Sequence, residues 1–433
     1  MSWTERLKNP RTLLWAALAV FILLHFYQLN APPNGYHHWR ESDTAAVALN
    51  YYQEDMNFLH PRVNQRGATS GITGIELPIY NYSVALLYCL TGPVHSVARL
   101  LTIFGACIGL GFFYRIVTIT SGERPAAFAV WAMAFSPLFF FYSHKIMPDI
   151  WMLSLLLGAF YFHLRYLKEN HRGLLAVSAL LLILSACLKP LGLSIYLPLL
   201  YLTWTEKEER ATRILLLAVY VLVTLSAVAG WFAYAKSVNE VHGVSAFYMG
   251  QSLPKWLDYM LTAQFFKKLF LQWPFELWVG WIFVPAFLCG LYLAFKKRVG
   301  SLYLVWALAG YIVFAIASHH ASTHDYYTLI IVPPLAAISG LALHHLADSP
   351  DWRRWLAVAM VLLVPIGAAA RTVHRIGPSE EYHQMQADAD NSIPRDSLVM
   401  VQDQSRAIRL YQMNRKGWVL RDEINYAVVK ELV

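Results

Sequence analysis

Apolar runs of 14 to 24 residues recur along this chain, at roughly 12–29, 77–91, 96–119, 126–143, 150–167, 174–188, 191–204, 213–235, 277–295, 301–318, 326–346 and 355–370. A helix needs about 20 residues to cross the hydrocarbon core. Charge is withheld to match: 14% of the residues are charged, against about a quarter in soluble domains. These runs predict an all-α, polytopic membrane protein with about 11–13 transmembrane helices.

The formal net charge of +8 does not point to nucleic acid. Lys and Arg gather in short connectors between apolar runs, as orientation signals and headgroup contacts require, and no basic stripe is interleaved with exposed aromatics. The four cysteines, Cys89, Cys107, Cys187 and Cys289, all lie inside apolar runs, which disfavours a disulfide framework or a zinc site. Leu13–Leu24 follows Arg6, Lys8 and Arg11 like a signal peptide, but no small-residue cleavage site precedes Gln28–Pro33. A retained first span is expected.

Two polar insertions interrupt the series, 30–76 and 236–276, and the chain turns to ordinary soluble sequence after 370. The expected organisation is a transmembrane domain over 1–370 and a small α/β tail over 371–433. Within the tail, 397–404 and 416–420 suggest strands and 406–414 an amphipathic helix, too small a unit to bury a large core. The basic connectors are Met1–Arg11, 163–172, 205–213, Lys296–Arg298 and Arg353–Arg354. Assigning them to the cytoplasm places both insertions, Asp149, Lys189, His319–Tyr327 and the tail outside. Counting both 77–91 and 96–119 as crossings reverses that parity. Either one of them is interfacial or re-entrant, or the Lys189–Pro190 break interrupts one long helix.

The segment HHWRESDTAAVALNYY, 37–52, concentrates His37, His38, Arg40, Glu41 and Asp43 just outside a span. Ser42, Asp43 or Thr44 would suit the cap of a helix starting there, but so many ionisable groups exceed what a cap needs. Asp43 and, less directly, Glu41 are therefore catalytic candidates, while His37 and His38 would bind substrate or a metal, or simply line the loop. Glu76 stands at the threshold of an apolar run, where a carboxylate is costly unless paired or facing a polar cavity. Asp149 follows a proline at a helix start, which again suits a cap. Lys189 is a lone cation before Pro190; it would snorkel to headgroups or hold a lipid phosphate. SHHASTHDYYTLIIVPPL, 318–335, sets His319, His320, His324, Asp325, Tyr326 and Tyr327 at a helix mouth, without zinc-like ligand spacing.

In this order and spacing, over roughly 12–346, the motifs resemble the polyprenyl-phosphate-sugar transferases of the GT-C fold, which include protein O-mannosyltransferases and the aminoarabinose transferase of lipid A. The string WRESDTAAVALNYY is similar to a bacterial W-R-x-S-D-T-A pattern. The resemblance implies a GT-C bundle with a long first external loop and a small external appendage, in a bacterial inner membrane with its site facing the periplasm. It maps the family's functional positions onto Glu41–Asp43, Glu76, Asp149, Lys189 with Pro198, and His324–Tyr327. Two departures stand out: Glu41-Ser42-Asp43 replaces an adjacent Asp-Glu pair, and Leu77 follows Glu76 where some relatives carry Lys.

Such an enzyme would move a sugar from a polyprenyl-phosphate donor to a hydroxyl on a lipid, envelope glycan or protein. Asp43 would take the acceptor proton, and Glu76 would position the acceptor or support the base. Arg40, Lys189 and Arg66 would neutralise the phosphate, while His37, His38, Asp149, His324, Asp325, Tyr326 and Tyr327 would line the substrate. Inversion by single displacement is expected, with no divalent metal or cofactor because the lipid phosphate already leaves well. The competing readings are a transporter or flippase of a lipid-linked glycan, a lipid-binding scaffold, and a ligase using a pyrophosphate-linked glycan. The lack of an internal repeat and of polar residues at midplane disfavours the transporter.

Overall fold

The computed structural model describes residues 9–244, 258–297, 300–377, 380–403 and 407–420. In chain order it begins with α1 (Pro10–Leu24), α2 (His38–Gln53), α3 (Ile79–Thr91), α4 (His95–Ser121), α5 (Glu123–Ala134), α6 (Pro137–Tyr142), α7 (Asp149–Glu169) and α8 (Arg172–Leu188). A 3-10 turn over Pro190–Ile195 leads into α9 (Tyr196–Thr205) and α10 (Arg210–His242). Then come α11 (Ala263–Phe266), α12 (Val284–Lys297), α13 (Ser301–Ile316) and α14 (Ser318–Thr323). The 3-10 segment Asp325–Ile331 runs into α15 (Val332–Ala347), and α16 (Trp352–Ile376) follows. The tail holds α17 (Glu380–Ser392), β1 (Leu398–Gln402), α18 (Ile408–Gln412) and β2 (Lys416–Leu420).

Among the described residues, α4, α7, α10, the run Asp325–Ala347 and α16 are each long and apolar enough to cross a membrane. Ala263–Trp278 and Trp281–Lys296 pass the same test only together, and are bent by 102° at their junction. The apolar run expected over 126–143 is divided, because Pro137 brings no N–H to continue α5 and instead opens α6. Close packing at the centre relies on small residues: a Cβ on Gly340 of α15 would lie 2.6 Å from the backbone nitrogen of Ala129 on α5.

Both ends of α3 stay on one side of the bundle: it opens beside α2, and His95, just beyond it, meets Tyr411 of the tail. The 13 residues of α3 reach only about 20 Å at the helical rise, short of the roughly 30 Å hydrocarbon thickness. It packs instead on α2, with Asn81 Nδ2 donating to the Thr44 carbonyl at 2.8 Å. Without a crossing at α3, Asp149, Lys189, Asp325 and the tail fall at one end of the bundle. The connectors around 165–172, 206–213 and 348–354 gather at the other, where Arg124 pairs with Asp348 at 2.6 Å and Asn170 reaches Glu209 at 3.3 Å.

The tail begins later than expected, because α16 continues past residue 370 to Ile376. β1 and β2 pair in parallel, Leu398 opposite Lys416 through Gln402 opposite Leu420. This unit clamps the loop over 30–76. Gly417 accepts from the N–H groups of Arg66 and Gly67 at 3.0 and 2.9 Å and donates to Asn64 at 3.1 Å. Gln412 donates to the Pro33 carbonyl at 3.1 Å, and the Tyr411 hydroxyl lies 2.9 Å from His95 Nε2. Residues 404–406 of the expected tail strand and helix, 245–257 of the second external loop, 1–8 and 298–299 of the basic connectors, and 421–433 lie outside the described residues.

Candidate active site

Helix α2 starts at His38, after His37 in the left-handed region (φ 58°, ψ 24°). Asp43 therefore lies in the second turn rather than at a cap, correcting the capping alternative. The start of α2 is pinned by Glu41, which is 0% exposed. Its carboxylate accepts from Arg99 Nη2 at 3.0 Å, Lys145 Nζ at 3.0 Å and the Ile146 N–H at 3.1 Å. Burial alone would lift the Glu41 carboxyl, yet Lys145 and Arg99 hold it below the ordinary carboxylate range. Arg99 also donates to the carbonyls of Leu29, Ala31 and His144. Glu41 thus staples the loop before α2 to α4 and to the α6–α7 connection.

The other side of the α2 start carries charge of a different kind. Arg40, itself buried, forms an ion pair with the partly buried Glu76. Next to it, Lys189 Nζ lies 2.5 Å from Asp149 Oδ1, and the second oxygen of Asp149 has no hydrogen-bond partner among the described residues. Asp149 is 0% exposed and spends its carboxylate on Lys189, not on capping α7. Two backbone features bring these pairs together. Lys189 takes an extended conformation (φ −154°, ψ 131°) where α8 ends, and the Leu77 N–H donates to Cys187 at 2.9 Å. Residues 76–77 therefore run beside 187–189. The four charges act on one another, and Asp43, three residues and so nearly one turn beyond Arg40, is among the anions acting on Arg40.

Aromatic rings cover this cluster. Lys189 Nζ sits 4.2 Å from the Tyr326 ring centroid and 5.2 Å from that of Tyr327. His324 stacks on Tyr326 at 5.5 Å, and Trp39 reaches His324 at 5.3 Å. His37 meets Tyr326 at 5.3 Å and presents Nε2 3.5 Å from Asp325 Oδ1. Asp325 is buried and also takes the Tyr142 hydroxyl and, at 3.3 Å, Arg375 Nη1.

The chain is similar to known proteins along most of its length. A family model described as dolichyl-phosphate-mannose-protein mannosyltransferase matches residues 76–232. The crystal structure of ArnT from Cupriavidus metallidurans bound to undecaprenyl phosphate superposes with a TM-score of 0.64 at 17% identity, covering 96% of this chain and 88% of that one. The chain has the GT-C glycosyltransferase fold. The apo form of the same ArnT also scores 0.64, over 94% of this chain and 85% of that one. The archaeal oligosaccharyltransferase AglB from Archaeoglobus fulgidus, in complex with an inhibitory peptide and a dolichol-phosphate, scores 0.61 at 13% identity. That match covers 96% of this chain and 65% of AglB, so the chain spans just under two thirds of that protein. No curated protein matches the chain by sequence. Together the family match and the shared folds indicate a glycosyltransferase.

Within the GT-C frame, the structure brings together Arg40, Asp43, Glu76, Asp149, Lys189, His37, His324, Asp325, Tyr326 and Tyr327 from the residues singled out in the sequence. It does not bring Arg66 there. Arg66 is buried against Glu54, with Nη1 at 2.8 Å and Nη2 at 2.9 Å, and its Nε donates to Val63 at 2.6 Å. These bonds tie Arg66 to Glu54, which also meets Lys416 of the tail, and not to the Arg40–Lys189 cluster where the phosphate was expected. Glu41 is likewise occupied in its staple, and His38 turns to the Gly35 carbonyl at 2.6 Å. Sequence reasoning missed Arg99, Lys145, Trp39, Tyr142 and Arg375. Arg99, an ionisable residue inside an apolar run, carried a usable signal. The described residues contain no group of three metal-ligating side chains.

Proposed function

We propose that the protein is an integral membrane inverting glycosyltransferase that moves a sugar from a polyprenyl-phosphate donor to a hydroxyl acceptor. In this reading it sits in a bacterial inner membrane with the charged cluster on the periplasmic side; the basic connectors at the opposite end support that orientation. The observation that carries the proposal is the juxtaposition of two cation–carboxylate pairs, Arg40–Glu76 and Lys189–Asp149, beneath the Tyr326 ring at one end of a GT-C bundle. Undecaprenyl phosphate and dolichol-phosphate in the ArnT and AglB structures support a lipid-linked donor.

The acceptor oxygen attacks the anomeric carbon as its proton passes to the Asp43 carboxylate. The bond from that carbon to the phosphate oxygen breaks, and its electron pair leaves on the lipid phosphate. Lys189 and Arg40 stabilise that growing negative charge, while Asp149 and Glu76 hold the two cations in place. One displacement inverts the anomeric centre. The test uses purified protein in lipid nanodiscs, a panel of radiolabelled polyprenyl-phosphate sugars, and a membrane-extract acceptor pool. Wild type should transfer label and Asp43→Asn should lose transfer while still retaining donor. Full transfer by Asp43→Asn overturns the base assignment, and a folded wild type that neither binds nor consumes any donor overturns the transferase.

A further inference from the structure

The far end of the bundle holds buried polar side chains that the transfer reaction does not use. On α7, His163 and Tyr166 come 14 and 17 residues after Asp149, about 21 and 26 Å away at the helical rise. Both are buried, and neither ring nitrogen of His163 nor the Tyr166 hydroxyl has a hydrogen-bond partner among the described residues. Their rings are 5.7 Å apart, and His163 faces Tyr220 of α10 at 5.8 Å. Arg213 precedes Tyr220 by two turns on the same face of α10. It too is buried, with Nε and Nη1 unpartnered; Glu206 approaches Nη1 only to 3.8 Å. Of the charged groups around the Tyr166 hydroxyl, Arg213 acts on it most strongly. On the adjacent α9, Thr203 is buried with its hydroxyl unpartnered.

A buried guanidinium without full hydrogen bonding is strongly destabilising, and each buried unpartnered donor needs an explanation. Arg213, Tyr166, His163 and Thr203 all offer N–H or O–H donors, the complement of an acceptor-rich oxyanion. The depth also suits a headgroup. One residue past Thr203, Trp204 is 60% exposed with Arg210 stacked 5.6 Å above it, the aromatic and basic signature of a membrane interface.

We propose that Arg213, Tyr166 and His163 form a second site, remote from the sugar-transfer site, that binds a phosphate oxyanion of the kind a phospholipid headgroup carries. Wild type, Arg213→Gln and Tyr166→Phe would be stripped of lipid in detergent. Each would then be titrated with phosphatidylglycerol and, separately, with inorganic phosphate, and followed by native mass spectrometry and thermal unfolding. Wild type should retain one phosphatidylglycerol and unfold at a higher temperature with it. Affinity should fall about tenfold or more in Arg213→Gln, which removes a charged donor, and about fivefold in Tyr166→Phe. Tyr166→Phe keeps the charge and the packing, so it tests the site even if Arg213→Gln fails to fold, and its sugar transfer should match wild type. Stabilisation of wild type, and not of the variants, by inorganic phosphate alone would support the same site with a free ion as its ligand. Equal responses of wild type and Tyr166→Phe to both ligands, or no response in any protein, would overturn the proposal.

Discussion

Lys189 and Arg40 each meet a carboxylate within the fold itself, and this determines how single and double substitutions differ. Removing Lys189 alone leaves Asp149 buried with neither oxygen paired. Lys189→Met should therefore lower stability by about 3 kcal/mol or more as well as weaken donor retention. In Asp149→Asn/Lys189→Met the unpaired charge is gone. That double variant should recover most of the lost unfolding temperature but still hold donor poorly, because the cation facing the phosphate is missing. Recovery of donor retention in the double variant would show that Lys189 acts only as Asp149's partner. Glu76→Gln removes the carboxylate that pairs with Arg40, and should reduce transfer more than it reduces thermal stability.

At the scale of elements, the tail and the first loop are held by Glu54, where Arg66, Arg62 and Lys416 converge. Burial would raise the Glu54 carboxyl, but hydrogen bonds from Arg66 and Lys416 bring it down to about 2, from 4.5 in an unfolded chain. A depressed carboxylate stabilises the contact above pH 4.5, and that contribution is lost as pH falls from 4.5 through about 2. Trp418, whose indole rests against Gly67, reports on the contact. Its fluorescence, taken as the difference between wild type and Trp418→Phe, should change over that acid window and stay flat from pH 5 to 8. Glu54→Gln should abolish the acid transition. Gly417 makes the same junction sensitive to bulk: at φ +146° a Cβ there would lie 2.0 Å from the Val399 carbonyl oxygen. Gly417→Ala should loosen the tail, read as faster proteolysis of 60–72, while leaving the spans folded.

These elements also mark how far the sequence alone could be followed. Glu76, Asp149 and Lys189 were legible because ionisable groups beside apolar runs stand out and demand partners. The tail's two strands were legible from their composition. The side of α2 on which each charge falls was not. Arg40, Glu41 and Asp43 are chain neighbours, yet Arg40 faces Glu76 while Glu41 faces Arg99 and Lys145, 58 and 104 residues away. Arg66 was misplaced for the same reason, since one of its companions at Glu54, Lys416, lies near the other end of the chain. Tyr142 ends an aromatic string in which nothing singles out the ring that will meet Asp325. The break at Pro137 was written in the sequence, but the greasiness around it concealed the helix end.

Across the whole molecule, one end gathers the paired charges, the aromatic cover and the tail, while the other gathers the basic connectors. The Glu41 staple joins three parts of the chain made at different times. When α4 leaves the ribosome with Arg99 near its start, Glu41 has already been synthesised 58 residues earlier, whereas Lys145 has yet to appear. An arginine entering the bilayer is costly until it is neutralised. Glu41, the carboxylate that pairs with it in the finished fold, is already made and can escort it, and Lys145 locks the arrangement only once α7 follows. Biogenesis would therefore depend on Glu41 more steeply than the finished protein does. Glu41→Gln should cut the yield of membrane-inserted protein in cells severalfold, with the loss visible in nascent chains halted after α4 and before Lys145 is made. Normal insertion of those halted chains would assign Glu41 to the finished fold alone.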